Sequence, residues 1–287
     1  MDDVRLYHGD CLDIMRALPD GEADMIFADP PFNAGKKYKG DLDDAKPVAE
    51  YYAWLDERLA QMVCLLTPGG TLWLMQDQRH VGWCQVRLVE IGLDFRNIVV
   101  WAYTNPTPAR YGLPKTWRPI LFMSKGTPKH FDGQADEMLK ETLYHTPTRA
   151  KTHWPHDLWP DIPKLVGGFL APPELLFDEA GRFAHLAQMP VKIAERAIKL
   201  ATQPDNTVLD PFMGSGTTGD AARRLGRKFV GIECSQEYFA LAEKRIREIF
   251  RPSPLRSNHG LHPECPICGY RLPENGLLRS GLTTGCT

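Results

Sequence analysis

Two short apolar segments of this chain each end abruptly in a loop of unusual composition, and this pairing constrains the fold more than any other feature. Residues 23–28 are mostly apolar and run into Asp29-Pro-Pro-Phe32, while residues 207–209 run into Asp210-Pro-Phe-Met-Gly-Ser-Gly-Thr-Thr218. Two consecutive prolines stop the first segment because proline lacks the N–H that a strand must donate. Both segments are therefore predicted to be buried strands with polar loops at their carboxyl ends.

Strand-like and helix-like segments alternate on both sides of these loops. Further strands are predicted over residues 4–7, 71–75, 95–103, 120–123 and 229–232, and helices over residues 48–66, 79–91, 191–201 and 236–250. Such alternation is typical of an α/β fold with a doubly wound, mainly parallel sheet. Residues 105–182 have little periodicity and are predicted to be an insertion. Ligands of such sheets bind beyond the carboxyl ends of the strands, where the two loops lie.

The composition excludes several classes of protein. Hydrophobic residues make up 43% of the 287 residues and charged residues 24%, so a packed core is expected. No apolar run approaches the roughly 20 residues that span a bilayer. The acidic start without an apolar stretch, and seven scattered cysteines, indicate a cytoplasmic protein with reduced thiols and no membrane partner. The formal net charge is −2, so nucleic acid would have to bind a local basic surface.

The second loop has the composition of a nucleoside-binding turn. Gly214, Gly216 and Gly219 have the G-x-G-x-x-G spacing between a strand and a helix, and Glu233 ends the next strand. Glycines let the backbone approach a nucleoside, and the acid can hold ribose hydroxyls. Taken alone, the pattern suits NAD and S-adenosylmethionine about equally, or a tight turn that needs glycine only for its conformation. A Walker loop is excluded because no lysine follows the glycines.

The first loop offers two acceptors for an amine. An exocyclic amine of a nucleobase is a poor nucleophile because its lone pair is conjugated with the ring. The carboxylate of Asp29 and the backbone carbonyl of Pro30 can each accept one N–H, which favours the tetrahedral geometry that attack on a methyl group requires. Pro30 and Pro31 have a fixed φ, and Phe32 offers a flat face to an extruded base. Alone, the tetrapeptide could equally be a polyproline-like turn.

Together, in this order and spacing, the two loops resemble those of the β-class amino-methyltransferases of DNA, in which the catalytic motif precedes the cofactor motif. The resemblance covers most of residues 4–104 and 157–250. It implies a circularly permuted S-adenosylmethionine-dependent methyltransferase fold. The catalytic half would be residues 1–104, a target-recognition module residues 105–182, the cofactor-binding half residues 183–250 and a C-terminal tail residues 251–287.

The resemblance also implies roles for individual residues. Asp29, Pro30, Pro31 and Phe32 would be catalytic. Asp10 would hold the adenine amine of the cofactor, and Glu233 its ribose. The other cofactor-binding residues implied are Asp210, Phe212, Gly214, Ser215, Gly216, Thr217, Thr218, His185, Gln188 and Pro190. Within the segment 185–190, Leu186 and Met189 depart from the usual His-Pro-x-Gln-Lys-Pro pattern.

The reaction implied is direct transfer of a methyl group from S-adenosylmethionine to N6 of a flipped adenine in double-stranded DNA. Asp29 favours adenine, because the cytosine-N4 members of the family more often have serine there. Cytosine-N4 methylation is the alternative, and an NAD-dependent oxidoreductase is the alternative from another class. The resemblance further implies a homodimer and a cognate restriction endonuclease.

A basic and aromatic region is the predicted DNA-binding surface. Residues 95–131 contain no Asp or Glu. Basic side chains neutralise phosphates, and aromatic side chains stack on bases. The predicted contacts are Trp101, Tyr103, Arg110, Lys115 and Arg118, together with Lys36, Lys37 and Lys39 in a loop that could instead be merely solvated. Trp101 and Tyr103 are candidates to sandwich the flipped base, and Trp101 could equally be a core residue.

The tail contains a possible zinc knuckle. Cys265 and Cys268 have C-x-x-C spacing, and His259 and His262 precede them. Zinc sites usually take two ligand pairs separated by a longer loop, whereas these four residues are crowded. The alternative is an extension without a metal.

Overall fold

The computed structural model describes residues 3–35, 44–107, 111–136, 138–139, 152–153, 155–165, 174, 176 and 188–247. The strands are β1 (Val4–His8), β2 (Ala23–Ala28), β3 (Leu66–Met75), β4 (Asp94–Thr107), β5 (Lys115–Ser124), β6 (Met138–Leu139), β7 (Thr152–His153), β8 (Leu158–Trp159), β9 (Thr207–Asp210) and β10 (Lys228–Glu233). The helices are α1 (Cys11–Ala17), α2 (Val48–Leu65), α3 (Val81–Glu90), α4 (Val191–Ala201), α5 (Thr217–Arg224) and α6 (Gln236–Arg247).

Eight strands form one sheet in the order β1-β10-β9-β2-β3-β5-β4-β8, and β6 and β7 form a separate pair. Five of the seven neighbouring pairs in the large sheet are parallel, and β5 is antiparallel to both β3 and β4. The predicted mainly parallel α/β sheet is confirmed. In this order β2, from the first part of the chain, lies directly beside β9, from the last part.

Helices cover both faces of the sheet, as the alternation along β2 shows. Met25 and Phe27 belong to one apolar core with residues of α4, α5 and α6, whereas Ile26 and Ala28 belong to another with residues of α1, α2 and α3. Because successive side chains of a strand point to opposite faces, a strand buried on both sides must be apolar at nearly every position. The fold is therefore doubly wound, as predicted.

Helix α2, predicted over residues 48–66, buries Tyr51 in its first turn and leaves Val48 53% exposed. Arg58, which interrupts the apolar pattern, is also buried on this face. The Tyr51 hydroxyl donates to the carbonyl of Pro31, and the Arg58 guanidinium donates to Asp10, both at the edge of the sheet.

Part of the predicted insertion lies within the main sheet. The strand predicted over residues 120–123 is confirmed and extends over Lys115–Ser124, between β3 and β4. β8 pairs with β4 at the far edge, through Val100 with Leu158 and Trp101 with Trp159. The boundaries of a target-recognition module stay a prediction. Within the ranges given above, no helix is long and apolar enough to cross a membrane.

Candidate functional site

The two unusual loops lie side by side at one edge of the sheet. β2 and β9 are parallel neighbours with Ile26 opposite Leu209, so Asp29-Pro-Pro-Phe32 and the loop from Asp210 leave the sheet together. Burial raises the pKa of Asp210 to about 7, although Thr218 and the Phe212 N–H bind its carboxylate, and the charges of Asp29 and Glu233 add to the rise. The Asp29 carboxylate therefore acts electrostatically on the neighbouring loop.

Glu233, at the end of β10, accepts a hydrogen bond from the backbone of the glycine-rich loop. Gly214 has φ of 51° and Gly216 has φ of 78°, both in the left-handed region that favours glycine. The Gly214 N–H donates to Oε2 of Glu233 at 2.9 Å, and the Ser235 N–H donates to Oε1 at 2.8 Å. Burial raises the pKa of Glu233, and these backbone donors oppose the rise. Glu233 thus holds the loop against β10.

Two of the three motif glycines allow close packing of helices. A Cβ atom on Gly219 would lie 2.5 Å from Cδ1 of Ile246 and 2.6 Å from Cε1 of Phe229. A Cβ atom on Gly216 would lie 3.0 Å from the Cβ of Ala242. Both positions therefore bring α5 against α6. For Gly219 and Gly216, a packing reason for glycine exists that does not require a cofactor.

The polar side chains of this loop form internal hydrogen bonds. Ser215, Thr217 and Thr218 are all buried. The Thr217 hydroxyl accepts a hydrogen bond from Nη1 of Arg245 at 3.0 Å and lies 3.4 Å from the carbonyl of Met189. Phe212 is half-buried, with its ring centroid 6.0 Å from that of Trp54 on α2. The loop is consequently rigid where it begins α5.

Asp10 lies at a third strand end, after β1. Its carboxylate caps α1 by accepting the Leu12 N–H at 2.7 Å and also accepts Nη2 of Arg58 at 2.8 Å. The Asp10 side chain is nevertheless 49% exposed, whereas that of Arg58 is 6% exposed and its guanidinium lies 4.2 Å from the Trp54 ring centroid. Arg58 therefore orients Asp10 and leaves part of the carboxylate accessible.

The segment before α4 is also fixed by hydrogen bonds. The Gln188 side chain donates to the carbonyl of Glu174 at 2.6 Å and accepts the Leu176 N–H at 3.2 Å. Pro190 is buried and precedes α4, while His185 lies outside the described residues. The side-chain amide of Gln188 is thus engaged by backbone, and its role toward a cofactor stays a prediction, as do those of His185 and Pro190.

Tyr51 and Arg79 bind the backbone carbonyls of the Asp29-Pro-Pro-Phe32 loop. The Tyr51 hydroxyl donates to the carbonyl of Pro31 at 2.8 Å, and Nε2 of Gln76 donates to the Tyr51 oxygen at 3.1 Å. Nη2 of Arg79 lies 3.3 Å from the carbonyl oxygens of both Phe32 and Asn33. These donors satisfy three consecutive carbonyls, and proline at 31 has no N–H of its own to satisfy. The conformation of the tetrapeptide is therefore held before any ligand binds.

Asp44 holds the chain beyond the tetrapeptide. Its carboxylate accepts the Asn33 N–H at 2.7 Å and the Ala34 N–H at 3.1 Å, while its carbonyl accepts the Gly35 N–H at 2.7 Å. Asn33 has φ of 52° and exchanges two hydrogen bonds with the backbone of Lys46. Gly35 and Asp44 are thereby brought together. The predicted DNA contacts Lys36, Lys37 and Lys39 fall between them, outside the described residues.

A buried carboxylate just beyond β3 binds two basic side chains. Asp77 accepts Nε of Arg79 at 2.8 Å and Nζ of Lys115 at 2.9 Å. Burial by itself would raise the pKa of Asp77, but the hydrogen bonds from Arg79 and Lys115 outweigh it and hold this pKa well below its usual range. Lys115, a predicted DNA contact, is therefore engaged within the protein.

The remaining predicted DNA contacts differ in position. Trp101 and Tyr103 are 5% and 7% exposed, and the Trp101 indole N–H donates to the carbonyl of Ile162 at 2.7 Å. This burial favours core packing for Trp101 over direct contact with DNA. Arg118 lies at the Asp29-Pro-Pro-Phe32 loop, with Cζ 4.3 Å from the centroid of the Phe32 ring. Arg110 lies outside the described residues.

The possible zinc ligands Cys265, Cys268, His259 and His262 also lie outside the described residues. Among the residues that are described, no group of three or more His, Cys, Asp or Glu side chains is arranged to hold a metal ion. The zinc site stays a prediction.

The supporting residues were the part of the site that sequence reasoning missed. Tyr51 lies 20 positions from Pro31, Arg58 lies 48 positions from Asp10, and Asp77 binds Lys115 38 positions away, so motif spacing could not reveal them. Asp44 lies closer, 11 positions from Asn33, but belongs to no recognised motif. One signal was present, because an arginine on the apolar face of α2 is unusual unless it has a partner. Asp77 follows a buried strand by two residues, in the same way as the recognised motifs follow theirs.

Comparison with known proteins defines the class to which this fold and this site belong. The family described as DNA methylase, of N6 and N4 methyltransferases, matches residues 23–244 of the chain. The chain therefore belongs to the N6/N4 DNA methyltransferase family. It is 32% identical over 262 residues to the Type II methyltransferase M2.LlaDCHI of Lactococcus lactis subsp. cremoris, covering 85% of this chain and 89% of the relative.

Solved structures share the fold. The M1.HpyAVI–SAM complex is 26% identical, with a TM-score of 0.58, and the match covers 85% of this chain and 99% of the other. The cytosine-N4-specific PvuII DNA methyltransferase is 21% identical with a TM-score of 0.63, covering 86% of this chain and 87% of the other. The predicted methyltransferase fold is confirmed. The family and the fold give no support to the oxidoreductase alternative.

Proposed function

We propose that this chain transfers a methyl group from S-adenosylmethionine to the N6 amine of an adenine extruded from double-stranded DNA. The observation that carries the proposal is the adjacency of β2 and β9, which brings the Asp29 loop and the glycine-rich loop to one edge of the sheet. A donor bound to the second loop would face an acceptor bound to the first. Family membership supports methylation of an amino group in DNA.

The residues around the glycine-rich loop fit S-adenosylmethionine. Gly214 has no side chain, so its backbone can approach a nucleoside, whereas the missing Cβ of Gly216 faces Ala242 of α6. Asp10 and Glu233 end the two neighbouring strands β1 and β10, and they are acceptors for the amine and hydroxyl groups of the donor. When bound, the donor supplies a methyl group on a positively charged sulfur. The M1.HpyAVI–SAM complex shows that a similar protein binds it.

Asp29 and Pro30 would orient the acceptor amine. Asp29 accepts one N–H and the Pro30 carbonyl the other, so the nitrogen lone pair leaves conjugation with the ring and points at the methyl carbon. The N–C bond forms as the C–S bond breaks, the bonding electrons stay on sulfur, and the nitrogen then loses a proton to Asp29 or to solvent. The hydrogen bonds from Tyr51 and Arg79 hold the tetrapeptide in one conformation, which reduces the entropy lost on aligning the reactants.

Asp29→Ala should abolish methylation while leaving the binding of S-adenosylmethionine nearly unchanged. The substitution removes one amine acceptor and the negative charge beside the reacting nitrogen, and it leaves the glycine-rich loop intact. Loss of at least about a hundredfold in rate is expected, since removing one preorganised polar group commonly costs that much. The measurement is transfer of labelled methyl groups to genomic DNA, with donor affinity followed by calorimetry.

Asp94→Ala is a matched control, because the Asp94 side chain is 60% exposed and begins β4 on the surface. It removes the same group and should retain full activity. Near-normal methylation by the Asp29 variant would contradict the proposed mechanism.

Cytosine-N4 methylation is the second candidate, since the cytosine-N4-specific PvuII enzyme has the same fold. Asp29 at the start of the tetrapeptide supports adenine. Digestion of the methylated DNA followed by mass spectrometry of the nucleosides separates the two products. N4-methylcytosine in place of N6-methyladenine would overturn the base assignment and leave the chemistry at Asp29 standing.

A homodimer and a cognate restriction endonuclease belong to the same proposal. Similarity to a Type II methyltransferase supports the pairing with an endonuclease. Sedimentation of the purified chain tests the dimer. Sequencing of the methylated positions in DNA from expressing cells identifies the recognition site against which an endonuclease can be sought.

A further inference from the structure

Arg118 differs from the other two basic side chains near the catalytic loop. Arg79 and Lys115 both bind the carboxylate of Asp77. The Nη1 atom of Arg118, in contrast, is buried and has no hydrogen-bond partner among the residues that the structure describes. A guanidinium has only donors and keeps its charge at any physiological pH, so it cannot relieve an unmet donor by losing a proton.

The surroundings hold Arg118 in place beside the tetrapeptide. On one side of it, Nε2 of Gln78 donates to the carbonyl of Trp117 at 3.0 Å, and on the other side the Gln76 N–H donates to the carbonyl of Pro119 at 3.1 Å. The guanidinium itself lies over the Phe32 ring, with Cζ 4.3 Å from the centroid. Hydrogen bonds to the flanking carbonyls and the contact with Phe32 thus hold Arg118 in place, while its Nη1 donor is without an acceptor among the described residues.

Burying a donor without an acceptor is unfavourable, and a protein that keeps one beside its reactive loop is suited to a ligand that brings the acceptor. The Phe32 ring is 7% exposed and is covered by the Arg118 guanidinium, so Arg118 and not Phe32 faces a base whose amine lies at Asp29. Such a base would carry the missing acceptor. The ring nitrogen next to the amine is N1 in adenine and N3 in cytosine, and it lies on the same edge of the base as the amine. Since Nη1 is shielded from solvent, a group inside the site suits it better than a phosphate at the surface.

We propose that Arg118 donates a hydrogen bond to the ring nitrogen beside the amine of the target base, and thereby positions that amine against Asp29. The inference rests on the proposed function and adds to it a residue that reads the base edge. The contact discriminates between bases that carry an acceptor at that ring position and bases that carry an N–H there, such as guanine and thymine.

The experiment couples a protein change to an atomic change in the substrate. A duplex containing the mapped methylation site is prepared with adenine, or with 1-deazaadenine, which keeps the amine and replaces N1 by C–H. For the unsubstituted enzyme, kcat/KM should fall about 10- to 100-fold on the deaza duplex, as a hydrogen bond to a charged group would predict. Arg118→Met should show a similar loss on adenine and little further loss on 1-deazaadenine.

A full additional loss for Arg118→Met on the deaza duplex would overturn the contact with the ring nitrogen. So would a variant that lowers the salt dependence of DNA binding by about one phosphate contact and shows no coupling to N1. If the methionine variant does not fold, Arg118→Lys replaces it. The ratio of kcat/KM between the adenine and 1-deazaadenine duplexes should still fall, because an ammonium cannot lie flat on Phe32 and form the same bond.

Arg16→Met is the matched control, since the Arg16 side chain is 55% exposed on α1, and it should leave both duplexes unaffected. Failure of this inference is distinguishable from failure of the proposed function. If the unsubstituted enzyme methylates no DNA, the function itself is wrong. If it methylates DNA at N4 of cytosine, the same test is made with 3-deazacytosine.

Discussion

At the scale of single residues, two carboxyl groups near strand ends have pKa values shifted in opposite directions from the ordinary value of aspartate. Asp77 is held ionised by Arg79 and Lys115, whereas burial favours the protonated form of Asp210. Burial opposes the ionisation of both carboxyls and is deeper for Asp210, and only Asp77 has cationic partners that outweigh it. Asp77 receives two cationic side chains, while Asp210 receives neutral donors and lies near Asp29 and Glu233.

The raised pKa of Asp210 predicts a pH dependence of stability. Its pKa of about 7 in the folded chain exceeds the ordinary value of 3.8, so the folded state binds this proton more tightly than the unfolded state. The contribution of Asp210 to the free energy of unfolding therefore falls as the pH rises from about 4 to 7. Asp210→Asn cannot ionise and retains a side-chain acceptor. Relative to the unsubstituted chain, it should gain about 2–4 kcal/mol of stability at pH 8 and little at pH 4.

Urea unfolding of both proteins from pH 4 to pH 8, without ligand, measures this difference. Asp94→Asn changes an exposed carboxylate and should show no such trend. A stability difference between Asp210→Asn and the unsubstituted chain that stays constant across this range would contradict the burial argument.

At the scale of secondary-structure elements, one buried arginine ties α4 to two other segments. Arg196 is fully buried, and its guanidinium donates to Asp136 at 2.6 Å and to both carboxylate oxygens of Asp161 at 2.9 and 2.6 Å. Its Cζ lies 5.1 Å from the ring centroid of Trp159 in β8. Since α4 also packs in the core that contains Phe27 of β2, this cluster connects the far edge of the sheet with its centre.

Arg196→Met should destabilise the fold by about 3–5 kcal/mol, because it leaves two carboxylates buried without their main cation. Urea unfolding at pH 7 measures the loss. The triple variant Arg196→Met with Asp136→Asn and Asp161→Asn should recover a large part of it, since the uncompensated charges are gone. A triple variant no more stable than the single one would show that packing of the arginine stem, and not charge, is responsible.

At the scale of the whole molecule, the proposed binding site for the donor combines strands from two parts of the chain that are far apart in sequence. β1 and β2 come from the first 28 residues, while β9 and β10 come from residues 207–233, and the four strands are adjacent in the sheet. A ligand held at their carboxyl ends contacts both parts and binds only when they are folded together. Its binding free energy is then added to the stability of the entire described fold.

S-adenosylmethionine should therefore raise the melting temperature. At a hundred times its Kd it would add about 2.7 kcal/mol, which corresponds to about 5–10 °C for a chain of this size. NAD at the same concentration is the control and should produce no shift. Asp29→Ala should show the full shift, which separates donor binding from catalysis. A shift with NAD and none with S-adenosylmethionine would contradict the assignment of the cofactor.

The sequence by itself determined the class of fold and the residues that end its central strands. Burial on both faces of β2 requires an apolar run, and the prolines after it stop the strand, so both features can be read locally. The spacing of the glycines can also be read locally. The reason for glycine at 216 and 219 cannot, because the side chains that would clash with a Cβ atom there include Ala242 and Ile246 of α6.

Tertiary structure decided which side chains work together. Only the order of the sheet places Asp29 beside Asp210, puts the Tyr51 hydroxyl under Pro31 and turns Lys115 toward Asp77. Trp101 also could not be assigned from the sequence, because an aromatic residue near a strand end can either stack on a base or pack in the core. The structure places it in the core. These pairings join residues up to 181 positions apart along the chain (29 to 210). Their energies depend on distances of a few ångströms that only the folded chain defines, because hydrogen bonds weaken steeply with distance and angle.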